Sequence, residues 1–99
     1  MAEYRIEVTE EARGDLNAYP AFERKIITTA IREQLTHQPL VETRNRKSLR
    51  ENPIAPWELR AGKFRVLYEV DEGSLVVTIV AVGHKEHGVL FIQGGEVKL

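Results

Sequence analysis

The sequence predicts an α+β domain in which an N-terminal strand and an α-helical hairpin pack on a mostly antiparallel sheet of about four strands. Three observations predict it. Tyr4, Ile6 and Val8 alternate with Arg5 and Glu7, the period of a half-buried strand. Phe22, Ile26, Ile27, Ala30, Ile31 and Leu35 recur at spacings of three and four, the signature of an apolar helix stripe. From Trp57 onward the alternation of strands returns, punctuated by turn residues at Gly62 and Gly73. Strand, helix, helix and then several strands sets the helices on one face of the sheet.

The first helix follows directly from the first strand. Thr9 stands where an N-cap is needed, and Glu10 and Glu11 fall in the first turn, where acids suit the helix dipole. Ala12, Leu16 and Tyr19 mark its inner face, and Gly14 inside it costs up to about 1 kcal/mol. Pro20 ends this helix and can open the next at its N1 position. Pro39 stops the second helix. The stretch 40–56 is polar and basic and closes on Asn52-Pro53-Ile54-Ala55-Pro56. Two prolines so close predict a rigid connector without a strand.

Trp57 and Leu59 then alternate with Glu58 and Arg60, and Ala61-Gly62-Lys63 turns the chain. Phe64, Val66, Tyr68 and Val70 share one face of the next strand, and Asp71-Glu72-Gly73-Ser74 is a hairpin turn. Leu75 to Val82 is apolar on both faces, as a central strand requires. Val89 to Ile92 predicts one further strand or extension, and the Gly94-Gly95 pair can close a small terminal hairpin.

Ninety-nine residues with 42% hydrophobic and 29% charged side chains suit one folded domain over 1–99. No run reaches the roughly 18 apolar residues of a membrane span, and the first residues have no secretory h-region, so a cytoplasmic location without membrane contact is expected. Cysteine is absent, which excludes disulfides, a thiol nucleophile and thiolate metal sites. Nothing in the sequence calls for a cofactor or a metal. The net charge of −1 runs against a generally basic nucleic-acid binder. The cations are clustered, however: Arg44, Arg46, Lys47 and Arg50 in one group, Arg60, Lys63 and Arg65 in a second. Acids concentrate near the N-terminus, at Glu3, Glu7, Glu10, Glu11 and Asp15.

The segments LRAGKFRVLYEV (59–70) and VVTIVAVGHKEH (76–87), in this element order, resemble the RelE/ParE toxin superfamily. That resemblance implies the toxin of a type II toxin–antitoxin system: a ribosome-dependent mRNA endonuclease that inhibits translation and is neutralised by a cognate antitoxin. In such an enzyme the ribose 2′-hydroxyl attacks the neighbouring phosphate, so the protein must hold the phosphate, stabilise its negative charge and assist proton transfer. Arg65 falls on the family's arginine at the start of the middle strand, where a planar fork grips two oxygens at once. Lys85 falls where nuclease members often carry arginine, and supplies a point charge only. Phe91 falls where the best-studied nuclease pattern has tyrosine; it can stack on a base but moves no proton. Pro56 and Glu58 replace two lysines of that pattern.

His84 and His87 offer the near-neutral titration that a general acid or base needs. Arg44, Arg46, Lys47, Arg50, Arg60 and Lys63 are candidates for tracking an RNA backbone. Three readings stand side by side: an endoribonuclease acting on mRNA at the ribosome, a toxin of the same fold that binds a protein such as gyrase, and a catalytically degenerate protein-binding module. All three carry a partner antitoxin, as a toxin–antitoxin hetero-oligomer or beside a homodimer of the toxin.

Overall fold

Thr9 ends the first strand and starts the first helix in one step. In the computed structural model, which describes residues 2–49 and 52–98, β1 (Arg5–Val8) runs into α1 (Glu10–Asn17), and the Thr9 hydroxyl accepts from the Ala12 N–H at 3.1 Å. This is the cap the sequence predicts. Pro20 is one position earlier than expected. With φ −66° and ψ 162° it is extended and precedes α2 (Ala21–Leu35), and its carbonyl accepts from the N–H groups of Glu23 and Arg24 at 3.0 Å each.

The α2 stripe is the second correction. Ile27, Ile31 and Leu35 are buried, whereas Phe22 and Ile26 are 69% and 49% exposed. At 3.6 residues per turn the six apolar positions span roughly 220° of arc, too wide for one buried face. The helix therefore buries Ile27, Ile31 and Leu35 against the sheet and turns Phe22 and Ile26 outward.

The strands that follow are β2 (Arg46–Ser48), β3 (Trp57–Ala61), β4 (Phe64–Asp71), β5 (Val76–Glu86), β6 (Val89–Ile92) and β7 (Gly95–Val97). The described residues form a seven-stranded sheet, not one of about four, in the order β2-β3-β4-β5-β6-β7, with β1 parallel to β5 and the other pairs antiparallel. The surplus lies in short edge strands. β2 sits inside the stretch expected to be a plain connector, because three polar residues at a sheet edge carry no apolar alternation. β6 and β7 extend the other edge. His87-Gly88 and Gln93-Gly94 both have positive φ at each residue, the geometry of two-residue type I′ turns. The second turn is thus Gln93-Gly94, and Gly95 opens β7 instead of closing the turn.

One face of the sheet meets the helices. Leu59, Phe64, Val66, Tyr68, Val77, Ile79 and Val82 form a core there with Ala12, Ile27, Ile31 and Leu35. The Tyr68 hydroxyl crosses this core and donates to the Pro39 carbonyl at 2.7 Å. On the other face Leu67 and Ala81 are covered by Ala55, Leu49 and Ile54, so the proline-rich connector lids part of the side without helices.

β5 is the longest strand and carries the site. β1 lies along its residues 76–79 and β6 along 84–86 on the same edge. Between them the edge has no strand partner. The buried carboxylate of Asp15 fills the gap, accepting from the Val82 N–H at 3.0 Å and from the Gln93 side-chain amide. One side chain of α1 thereby holds the central strand and the tip of the β6–β7 turn together.

Candidate functional site

The pleat of β4 and β5 sorts the candidate residues onto two faces. His84 pairs directly with Phe64, a core residue, and so lies on the helix face. Arg65 pairs with Gly83 and with Arg60, and Lys85 pairs with Leu90, all on the opposite face. The sequence treats Arg65, Lys85, His84 and His87 as one catalytic group. The fold sets the two cations and the His84 imidazole on opposite sides of the sheet.

On the helix face His84 is held from both nitrogens. Its Nδ1 shares a 2.7 Å hydrogen bond with the Tyr19 hydroxyl, and its Nε2 lies 3.3 Å from Glu86 Oε1. With Nε2–H directed at Glu86, Nδ1 is the acceptor and Tyr19 donates. Phe91, opposite His84 across the β5–β6 ladder, stacks on the imidazole at 5.8 Å between centroids, and Tyr19 meets the rings of Phe64 and His84 edge-on. The Tyr19 hydroxyl is pushed up to about 12, first by burial and then by the carboxylates of Asp15, Glu23 and Glu86. It stays a neutral donor through the physiological range. Lys63 leans over Phe64 at 5.4 Å and pairs with Glu23 at the start of α2 at 3.3 Å. Phe91 and Lys63 therefore belong to this aromatic cluster and not to the cationic face.

On the face away from the helices Lys47, Arg60 and Arg65 lie near Glu58, and Lys85 lies further along β5. Lys47 is exposed and stands opposite Glu58 in the β2–β3 register. Glu58 is only 2% exposed, and its Oε1 lies 3.1 Å from Arg60 Nε. Arg65 curls over its own hairpin: Nη1 donates to the carbonyls of Gly62 and Phe64 at 2.7 and 2.8 Å, while its buried Nε has no partner among the described residues. Burial lowers the Arg65 pKa, Arg60 lowers it further, and Glu58 opposes both. The face is a cation cluster with one carboxylate inside it, and no imidazole or phenol stands beside Arg65 among the described residues.

The remaining candidates disperse. Arg46 is buried, and its guanidinium donates to the carbonyls of Val41 and Gln34 and to Gln34 Oε1 at 2.7–3.0 Å. It ties β2 to the last turn of α2, where a cation suits the helix dipole, and is not free to meet RNA. Arg44 is exposed in the loop before β2. His87 is exposed at φ 51° in the β5–β6 turn, where its position is set by turn geometry. Arg50 lies outside the described residues.

The match to the family described as the ParE toxin of the type II toxin–antitoxin system parDE runs over residues 6–88. The chain belongs to that toxin family. Solved structures agree on the fold. A chain of the RelBE2 toxin–antitoxin complex from Mycobacterium tuberculosis superposes with a TM-score of 0.75 at 29% identity, covering 86% of this chain and 94% of that one. A chain of the intact RelBE toxin–antitoxin complex from E. coli gives 0.65 at 26% identity, with 85% and 99% covered. A chain of the archaeal RelE–RelB complex from Pyrococcus horikoshii shares the fold at 0.68 and 18% identity, with 86% and 98% covered. No curated protein matches the sequence. The ParE model and the RelE-type structures together put the toxin within the RelE/ParE superfamily that its sequence resembles.

Sequence reasoning did not assign a role to four residues of the candidate site: Asp15, Tyr19 as a hydrogen-bond donor, Glu58 and Glu86. A signal for two of them was present. Asp15 follows Ala12 by three on the inner face of α1, and Tyr19 follows Leu16 by three just past its end, so an acid and a phenol were directed at the core together. A buried acid within a basic segment, as at Glu58, has no periodic signature.

Proposed function

We infer that this type II toxin is neutralised by a cognate antitoxin, and that once free it acts by binding a protein target such as gyrase instead of cutting RNA. The observation that carries the reading is the separation of His84 from Arg65 and Lys85. Metal-independent RNA cleavage needs a phosphate clamp and a proton carrier around the same ribose. Here the imidazole is on the far side of the sheet, its nitrogens engaged by Tyr19 and Glu86. Phe91 has no proton to give. Glu58, the acid nearest the clamp, is buried and paired with Arg60. The match to a ParE family supports the same side of the choice, and the toxin–antitoxin complexes among the structural neighbours support an antitoxin partner.

A second reading, a ribosome-dependent mRNA endonuclease, has one observation in its favour. Lys47, Arg60, Arg65 and Lys85 share one face of the sheet, a set of cations of the kind that contacts a phosphate backbone. Induced expression without antitoxin separates the two. The protein-target reading expects arrested DNA replication, inhibition of gyrase supercoiling by the purified chain, and transcript ends unchanged from the uninduced cell. New codon-positioned transcript ends that vanish in an Arg65→Ala, Lys85→Ala double variant would overturn it in favour of the endonuclease.

A further inference from the structure

The outward face of α2 is built from residues that complement themselves. Phe22 and Ile26 are 69% and 49% exposed there, and they line a shallow groove with Lys25, Thr29, Ala30 and Glu33. Of the neighbouring charges, Glu23 is engaged by Lys63 and Arg24 by the Tyr19 carbonyl, while Arg32 is exposed beside Glu33. Lys25 and Glu33 make no ion pair among the described residues. They stand eight residues apart with Thr29 midway between them.

That spacing is what an antiparallel helix pair requires. A two-fold axis at Thr29 puts small side chains, Thr29 and Ala30, where the helices cross and lets them approach closely. It sets Ile26 beside the other copy's Ala30 and lays Phe22 along the end of the other α2. It also brings Lys25 of each copy opposite Glu33 of the other, twice, because an isologous contact repeats each pair. The same arrangement in parallel would set Lys25 against Lys25 and Glu33 against Glu33.

We propose that the outer face of α2 is the interface of an antiparallel toxin homodimer, held by Phe22 and Ile26 and registered by reciprocal Lys25–Glu33 pairs. Two apolar side chains per copy and two rim ion pairs in all make a small contact, so the dimer is weak and forms at micromolar concentration. Its ion pairs are solvent-exposed, so salt weakens it. The inference does not depend on what the toxin attacks.

Sedimentation velocity of the purified full chain, over a dilution series at low and high salt, tests it. The wild type is expected to pass from monomer to dimer across the micromolar range. Lys25→Glu and Glu33→Lys should each weaken association at least tenfold, and the double swap should restore it to within about threefold of wild type. Ile26→Asp should abolish it. These positions are exposed, so circular dichroism and melting temperature should stay at wild-type values in every variant. A chain that stays monomeric at its highest soluble concentration overturns the proposal. So does a dimer indifferent to Ile26→Asp, or one that the double swap fails to restore; the face is then left to the antitoxin or to no partner.

Discussion

Tyr19 and His84, sixty-five residues apart in the chain, share a 2.7 Å hydrogen bond that joins the end of α1 to the central strand. The contact fixes the imidazole's orientation and leaves Nε2 for Glu86. It also makes a prediction about pH. The Tyr19 hydroxyl in the folded chain is raised to about 12 from an ordinary 10, burial being the largest cause. A group whose folded pKa is raised contributes stability that is fully present below the unfolded pKa and is lost as pH rises through the folded value. Wild-type stability in urea should therefore show no Tyr19-linked slope below about pH 9 and should fall between 10 and 12. Tyr68 is raised in the same direction by burial, so Tyr19→Phe should reduce the alkaline slope without removing it. An identical slope in the variant would show that the Tyr19 hydroxyl is solvated in the native state.

Asp15 occupies the one stretch of the β5 edge that β1 and β6 leave between them. Asp15→Ala would leave the Val82 N–H and the Gln93 amide without their acceptor, at a cost of about 1–3 kcal/mol. The loss should be local as well as global. Hydrogen exchange at Val82 and along β6 should accelerate more than exchange at Tyr68 in β4, because the Gln93 turn loses its anchor on α1. Asp15→Asn keeps one carbonyl acceptor and should recover part of the protection. Uniform acceleration across the sheet in Asp15→Ala would refute the anchoring role.

The frame of this fold was legible in the sequence where packing imposes a period. The alternation in β1 and β4, the doubly apolar run in β5 and the Thr9 cap appear as expected, since each follows from one local rule. What was not legible depends on contacts between distant residues. Arg46 reads as one more cation in a basic run, yet the end of α2 supplies Gln34 to hold it inside. The α2 stripe reads as one surface because periodicity states which residues are apolar, not how wide a face the sheet can cover. The division of the candidate residues between two faces was hidden for a similar reason. Adjacent residues in a strand point to opposite faces, so His84 and Lys85, neighbours in sequence, are the pair least able to act together.

Glu58 gives the sharpest test of what the cationic face is for. Its carboxylate is buried and lies 3.1 Å from Arg60, and its charge also acts on Arg65. Glu58→Gln keeps the side-chain shape and removes the buried negative charge beside Arg60 and Arg65. The variant should bind polyanions more tightly and elute from heparin at higher salt than wild type. It should lose about 1–3 kcal/mol in urea unfolding, the expected cost of weakening a buried charged hydrogen bond. Stronger polyanion binding without new transcript ends would show that phosphate affinity is not what the chain lacks, and that the missing element is a proton carrier on this face. Growth inhibition should then persist in proportion to folded protein, since target recognition does not run through RNA. If Glu58→Gln instead abolishes transcript cleavage that the wild type performs, the buried carboxylate is itself the general base and the protein-target reading fails.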